Sequence, residues 1–285
     1  MKTLNITSIK PAFTGFLLLI SAFVANAQSL PGKQETSLRA PANLKIDGKA
    51  TEWDNQFQAY NKATELFYTV SNDDDNLYFT IQAKQPRVIE KIMNVGVTVA
   101  INSAGEKKDN APENVSVNFP LMDFAYVPKI VFDAGDQTEP PKVGPMGRQI
   151  GGYKPEFEIK PSDSLKDVAT KSLVTNAKTI QIKGVKEIPD GQLSVYNEEG
   201  IKVAAAFDHT GVYTYELAVP LKYLHLSIND SKKFSYNIKL QSRLDVLRHG
   251  MVTRYVIRPG VGQVDQDQDL DSTTDFWGEY TLAKK

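Results

Sequence analysis

The chain has 285 residues, with 33 lysines and arginines against 34 aspartates and glutamates. It contains no cysteine, which excludes disulfides, thiolate metal sites and cysteine nucleophiles. The nearly equal numbers of basic and acidic residues argue against nucleic acid or an anionic membrane as a partner. A chain of this length can be stabilised by its own core, since such domains bury about 70–75% of their unfolded surface.

The first 27 residues have the pattern of a secretory signal peptide. Lys2 and Lys10 precede the mostly apolar run Phe13–Ala25, and the first 27 residues hold no acidic residue. Small residues stand at Ala25 and Ala27, which predicts cleavage after Ala27. The alternative is an N-terminal membrane anchor, but the run is shorter than the ~20 residues of a spanning helix. We therefore expect a secreted or periplasmic protein that does not stay inserted in a membrane.

Behind the signal, the sequence predicts a leader and then one domain. Residues 28–40 are polar and are predicted to be a flexible leader, and residues 41–285 are predicted to form a single domain. The domain opens with a predicted short strand at Leu44–Ile46. A tight turn follows at Asp47-Gly48, because glycine accepts a positive φ and aspartate caps the local backbone. Trp53 then comes as an aromatic anchor, which we expect to pack in the core.

Most of the remaining elements are predicted strands. The runs Glu65–Ser71 and Leu77–Ala83 predict a β-hairpin, and the three aspartates between them favour a solvated turn over a metal site. Proline at a helix start and apolar residues at helical spacing predict a short helix over Pro86–Met93, and a second is predicted over Ser162–Leu173. Alternation predicts the other strands at Val95–Ile101, Val115–Phe119, Thr179–Ile182, Leu193–Tyr196, Ile201–Phe207, Val212–Val219, Phe234–Gln241, Met251–Ile257 and Phe276–Leu282.

Many short strands with few helices predict an all-β fold, an immunoglobulin-like or jelly-roll β-sandwich with one or two short helices. The regular pattern is interrupted by a long central insertion, at roughly residues 134–160, which is rich in proline and glycine. Irregular loops of that length inside a domain are usually functional or disordered. The insertion is therefore the first place to look for ligand-binding residues.

Several short motifs resemble those of family 9 carbohydrate-binding modules and their DOMON-like relatives. They are Ile46-Asp47-Gly48 with Glu52-Trp53, the strand Leu77-Tyr78-Phe79, the strand end Val219-Pro220-Leu221, and the closing Trp277-Gly278. The resemblance implies a secreted, non-catalytic β-sandwich that binds a polysaccharide or oligosaccharide. It also implies that Trp53 and Trp277 occupy core positions and not the sugar platform. The candidate ligand-binding aromatics are therefore the ones in or beside the insertion: Tyr126, Tyr153 and Phe157.

An acidic loop near the C-terminus is the candidate metal site. Asp265, Asp267, Asp269 and Asp271 alternate along the chain, and alternating carboxylates present oxygens to one centre as calcium ligands do. An EF-hand loop would place glycine at its sixth position and glutamate at its twelfth, and this loop has neither. We expect either a looser structural calcium site or a solvated acidic loop. No other cofactor is predicted.

Two other functions remain open alternatives to glycan binding. One is a haem-binding relative, for which His249 and Met251 are candidate ligands. Because both lie on one face of a predicted strand, they would need a further partner such as Met93 or Met122. The other is a secreted glycan-processing enzyme with an unrecognised site. The sequence holds no Gly-x-Ser-x-Gly elbow and no His-Glu-x-x-His zinc motif, so a non-enzyme is the favoured interpretation.

Overall fold

The chain folds as two antiparallel β-sheets packed face to face. The computed structural model describes residues 30–121, 163–189, 191–242 and 272–285. A five-stranded sheet has the order β1-β2-β3-β9-β8, and a six-stranded sheet has the order β11-β10-β4-β5-β6-β7. The strands are β1 Ala59–Asn61, β2 Leu66–Asn72, β3 Asn76–Ala83, β4 Val97–Asn102, β5 Asn114–Phe119, β6 Thr179–Lys183, β7 Gln192–Ser194, β8 Lys202–Phe207, β9 Tyr213–Pro220, β10 Phe234–Leu240 and β11 Thr274–Tyr280.

This arrangement confirms the predicted all-β sandwich. The core lies between the two sheets, where aromatic side chains from facing strands meet. Tyr68 of β2 packs on Phe276 of β11 with ring centroids 5.0 Å apart. Phe79 of β3 meets Tyr236 of β10 edge-on at 5.7 Å. Aromatic pairs in this geometry stabilise a core by about 0.5–1.5 kcal/mol beyond the area that they bury.

The predicted hairpin is present as β2 and β3, paired from Leu66↔Ala83 to Asn72↔Leu77. Its connecting turn is held by Asp73, whose Oδ1 accepts hydrogen bonds from the backbone N–H groups of Asp75 at 2.8 Å and Asn76 at 2.6 Å. The neighbouring Asp74 forms ion pairs with Arg39 and Lys285 instead. Asp73 therefore stabilises the turn, and Asp74 binds Arg39 and Lys285. Both roles agree with the interpretation of this segment as a solvated turn.

Two α-helices, α1 Pro86–Val95 and α2 Asp163–Asn176, complete the described part of the fold. Both confirm helices predicted from the sequence. The helix α1 begins at its proline and buries an apolar face, and α2 lies against the edge strand β8, where the Phe207 N–H donates to Thr170 Oγ1 at 3.1 Å. A helix over an edge strand covers its unpaired backbone groups. Within the described ranges, no helix is long and apolar enough to cross a membrane.

The Asp47-Gly48 turn is present, but the strand predicted before it at Leu44–Ile46 is not. This segment crosses the outer face of the five-stranded sheet, so its backbone does not join either ladder. Gly48 has φ of +81°, and a Cβ there would lie 2.7 Å from the backbone of β8. The backbone N–H groups of Asp47 and Gly48 both donate to Glu216 Oε2 of β9, each at 2.9 Å. Glycine is therefore required here by both its φ and its close contact with the sheet.

Trp53 is not a core residue, contrary to the prediction from the sequence. It ends the 3₁₀ helix Thr51–Trp53, which contributes no buried residue, and its side chain is half-buried. The helix directly follows the turn at Gly48 and so lies outside the five-stranded sheet, whereas the core lies between the two sheets. The Trp53 Nε1 atom is buried, and no described residue is its hydrogen-bond partner.

Candidate functional site

A cleft of about 380 Å³ runs between the edge strand β11 and the segment near the start of the described chain. One wall is formed by Lys33–Ser37 and the other by Trp277–Thr281, with Lys107 and Lys233 at the rim. We call it the Trp277 cleft. Its volume falls within the ~300–1,000 Å³ that is usual for small-ligand sites.

The first wall belongs to residues 33–40, which we call the N-terminal strap. Gln34 is buried and fastens the strap to β2 through both groups of its side-chain amide. The Val70 N–H donates to Gln34 Oε1 at 2.7 Å, and Gln34 Nε2 donates to the Val70 carbonyl at 2.8 Å. The Gln34 N–H also donates to the Tyr68 hydroxyl at 3.0 Å. One glutamine side chain thus continues the sheet beyond the end of the short strand β1.

The other end of the strap is fastened to the six-stranded sheet. The Leu38 N–H donates to the Tyr280 hydroxyl at 2.9 Å, and Tyr280 Oη lies 2.9 Å from the Leu38 carbonyl and 3.1 Å from Asn72 Oδ1. Burial raises the pKa of Tyr280 to about 12, so this hydroxyl keeps its proton. The strap therefore connects the two sheets. The sequence predicted a flexible leader over residues 28–40, and in the structure Gln34 and Leu38 of that segment are hydrogen-bonded to the two sheets.

The second wall carries Trp277, which the sequence placed in the core. In β11 the residues Phe276, Gly278 and Tyr280 are buried, so strand alternation turns Trp277 to the outer face. Gly278 has no side chain because its Cα faces the ring of Tyr236, which an added Cβ would overlap. Trp277 is half-buried and lines the cleft. The core aromatic that contacts Gly278 is therefore Tyr236 of the adjacent strand β10, and not Trp277, its neighbour in the sequence.

Charged side chains surround the indole. Glu279 lies two residues along the same face and forms ion pairs with Lys107 at 2.5 Å and Lys233 at 3.1 Å. Hydrogen bonding to Lys107, followed by that to Lys233, holds the pKa of Glu279 below its usual range. Lys33, Glu35 and two hydroxyl side chains, Thr36 and Ser37, complete the lining on the strap. The cleft therefore combines one aromatic ring with donors and acceptors of both charges.

This combination suits a polyhydroxylated ligand. An indole ring offers a large apolar face that can cover the C–H groups of a pyranose, and its N–H remains available as a donor. Ammonium, carboxylate and hydroxyl groups around it can hydrogen-bond the sugar hydroxyls, which both donate and accept. Lys107 and Glu279 are already held in position by their ion pair, so they lose less side-chain entropy when a ligand is bound.

The residues that the sequence proposed as ligand-binding are Tyr126, Tyr153 and Phe157, and they lie outside the described residues. The proposed calcium ligands Asp265, Asp267, Asp269 and Asp271 also lie outside them, as do His249 and Met251. The neighbouring Asp275 is described, and its Oδ2 accepts a hydrogen bond from Asn237 Nδ2 at 2.7 Å. Within the described ranges, no three histidines or carboxylates are grouped to hold a metal ion.

Sequence reasoning missed the Trp277 cleft, although one signal was available. The run Phe276-Trp277-Gly278-Glu279-Tyr280 alternates, and pairing Glu279 with Trp277 on one face would have identified Trp277 as outward-facing.

Comparison with known proteins does not identify the site, since no family model matches the chain and no curated protein matches it.

Proposed function

We propose that this protein is an exported, non-catalytic β-sandwich that binds a carbohydrate in the Trp277 cleft. The observation that carries the proposal is the position of Trp277. It is a large aromatic side chain on the outer face of an edge strand, and it lines a cleft of about 380 Å³ among charged and hydroxyl side chains.

The motifs of the sequence support glycan binding, although they do not locate it in this cleft. The Asp47-Gly48 turn and the strand end Val219-Pro220-Leu221 resemble those of family 9 carbohydrate-binding modules, and the N-terminal pattern ending at Ala27 predicts export. An exported protein meets polysaccharides of the cell envelope or of the surroundings. A module of this kind would hold a glycan chain by one or two sugar units at the cleft.

The two tryptophans allow a direct test. In Trp53→Phe, Trp277 is the sole tryptophan, so the emission spectrum reports on the cleft alone. Titration of this variant with a panel of soluble oligosaccharides should shift and change the emission of Trp277 in a saturable way for the ligand that binds. The same ligand should retard the wild-type protein in an affinity gel containing the corresponding polysaccharide.

Substitution then assigns the binding to the cleft. Trp277→Ala should weaken binding at least about tenfold, because truncating an aromatic anchor typically costs ~2 kcal/mol or more. Tyr196→Ala is the matched control, since Tyr196 is a largely exposed aromatic (72%) on the far edge of the same sheet and should leave affinity unchanged. Equal affinities for wild type and Trp277→Ala would overturn the proposal.

A further inference from the structure

A second and larger cleft lies on the opposite outer face of the sandwich. Its volume is about 510 Å³, and it lies between the segment Leu44–Ile46 and the ends of β3, β8 and β9. At one end the segment follows a turn in which the Leu44 N–H donates to the Pro41 carbonyl at 3.0 Å. At the other end the two N–H groups of the Asp47-Gly48 turn bind Glu216. We call this space the Tyr78 cleft.

The surfaces of the Tyr78 cleft are apolar above and below. Leu44 and Ile46 cover it and are half-buried, and Tyr78 and Ala218 form part of its floor. The Tyr78 ring is fixed in place because its hydroxyl donates to Asp73 Oδ2 at 2.6 Å. This bond uses the only proton of the hydroxyl and holds the Tyr78 side chain in position in the lining of the cleft.

The rim of the Tyr78 cleft is cationic. Lys45 and Lys202 line it, both are exposed, and none of the described residues that line it is a carboxylate. Neither ammonium group has a hydrogen-bond or ion-pair partner among the described residues. The carboxylate of Asp73, which binds the Tyr78 hydroxyl, is also occupied by two backbone N–H groups of its own turn.

The two clefts differ in whether their lysines form ion pairs within the protein. In the Trp277 cleft, Lys107 and Lys233 converge on Glu279, so that their charge is partly neutralised within the protein. In the Tyr78 cleft, two lysines without such a partner stand beside apolar walls, in a protein whose overall charge is −1. Placing a carboxylate beside two lysine ammonium groups forms charge-assisted hydrogen bonds, which are stronger than bonds between neutral groups.

From this arrangement we infer that the Tyr78 cleft binds a small carboxylate with an apolar or C–H-rich body. The body lies between Leu44, Ile46 and the Tyr78 ring, and the carboxylate is held by Lys45 and Lys202. Both a short alkanoic acid and a uronic acid have this chemistry, since each joins one carboxylate to a compact body rich in C–H groups. The site is separate from the Trp277 cleft and does not depend on glycan binding there.

The inference can be tested by calorimetric titration of the protein carrying residues 28–285 with hexanoate and with D-glucuronate. Their uncharged counterparts, 1-hexanol and D-glucose, are the matched ligand controls. At least one carboxylate should show saturable binding at concentrations up to about 10 mM, where even a weak specific site is detected. The comparison of hexanoate with glucuronate then separates an alkanoic acid from an acidic sugar.

Charge-removing variants locate the site. Lys45→Gln with Lys202→Gln should weaken binding of the carboxylate at least about tenfold, because its charge-assisted hydrogen bonds are lost. Lys183→Gln with Lys186→Gln removes the same charge from exposed positions near β6 and should leave affinity unchanged. Substitutions at exposed positions usually change stability by less than about 0.5 kcal/mol. Both double variants should therefore be folded and can be compared directly with the wild type.

Three results would each overturn the inference. They are no saturable binding of either carboxylate, equal binding of the uncharged counterparts, and unchanged affinity in the Lys45→Gln, Lys202→Gln variant. Trp277→Ala should not change the affinity for the carboxylate. A loss of carboxylate binding in Trp277→Ala would place the ligand in the other cleft and would also overturn it, whatever the outcome for glycans.

Discussion

The buried carboxylate of Glu216 should make the stability of the protein depend on pH in an unusual direction. Glu216 is fully buried, and its Oε1 has no hydrogen-bond partner in the part of the chain that the structure describes. Burial raises its pKa to about 7, with the negative charges of Asp47 and Glu52 adding to the effect, while the two N–H groups of the turn oppose it. The ordinary pKa of the group is 4.5, so folding favours the protonated form.

The sign follows from linkage between proton binding and folding. A pKa that is raised in the folded state gives stability that is fully present below the unfolded value and is lost as pH rises through the folded value. The free energy of unfolding should therefore fall between about pH 4.5 and pH 7 through this group. At 1.36 kcal/mol for each pKa unit, the loss is on the order of 3 kcal/mol.

The variant Glu216→Gln isolates this contribution, because glutamine keeps an acceptor oxygen for the turn and cannot ionise. We expect the variant and the wild type to have similar stabilities near pH 4.5, with the variant more stable by up to about 3 kcal/mol above pH 7. Urea unfolding of both proteins at a series of pH values measures the difference. Parallel stability curves across this window would refute the reasoning, since they would mean that Glu216 has the same pKa folded and unfolded.

Two further predictions concern the closing strand and the acidic loop. Gly278→Ala should destabilise the fold by about 1–3 kcal/mol in denaturant, because its Cβ would overlap the Tyr236 ring in a packed core, and an unchanged midpoint would contradict that contact. If Asp265, Asp267, Asp269 and Asp271 bind calcium only in the folded state, calcium at a hundredfold excess over Kd should stabilise the protein by about 2.7 kcal/mol. Asp267→Asn with Asp269→Asn should abolish that increase in Tm, and a Tm that does not respond to calcium would favour the solvated loop.

The sequence predicted the elements well where their signal is local. The hairpin β2–β3 and the helix α1 follow from alternation, turn residues and a proline at a helix start, all within about ten residues. Glu216 shows where that reasoning fails. It lies on the outer side of the alternating strand β9, where a polar residue is expected to be exposed, and it is buried because a turn 168 residues earlier covers it.

The candidate sites depend on the same kind of distant contact. The walls of the Trp277 cleft are 240 or so residues apart in the sequence, and Ser37 Oγ donates to the Thr281 carbonyl at 2.5 Å across that separation. The strap looked flexible because its composition is polar. Its position is set by Gln34, which bonds to β2, and by Leu38, which bonds to both β2 and β11, and no periodic pattern in a single sequence records such pairs.

Gln34 offers the sharpest test of the strap. In Gln34→Ala, the Val70 N–H and carbonyl both lose their partner at the edge of β2, and each buried group left unpaired costs about 1–3 kcal/mol. The strap should then detach locally around Gln34 while Leu38 stays bound to Tyr280 and the sandwich stays folded, since the core lies between the sheets and does not include the strap. Hydrogen exchange at the Val70 amide should become at least about tenfold faster, because 1.4 kcal/mol already changes an opening equilibrium tenfold.

The same variant links the strap to the ligand. Because the strap is one wall of the Trp277 cleft, its detachment should also weaken glycan binding, and a bound glycan should slow exchange at Val70 in the wild type. The amide of Val99, in the centre of the six-stranded sheet, is the internal control and should exchange equally in both proteins. Faster exchange at both amides would mean global destabilisation, and unchanged exchange at Val70 would mean that the Gln34 amide does not hold the strap.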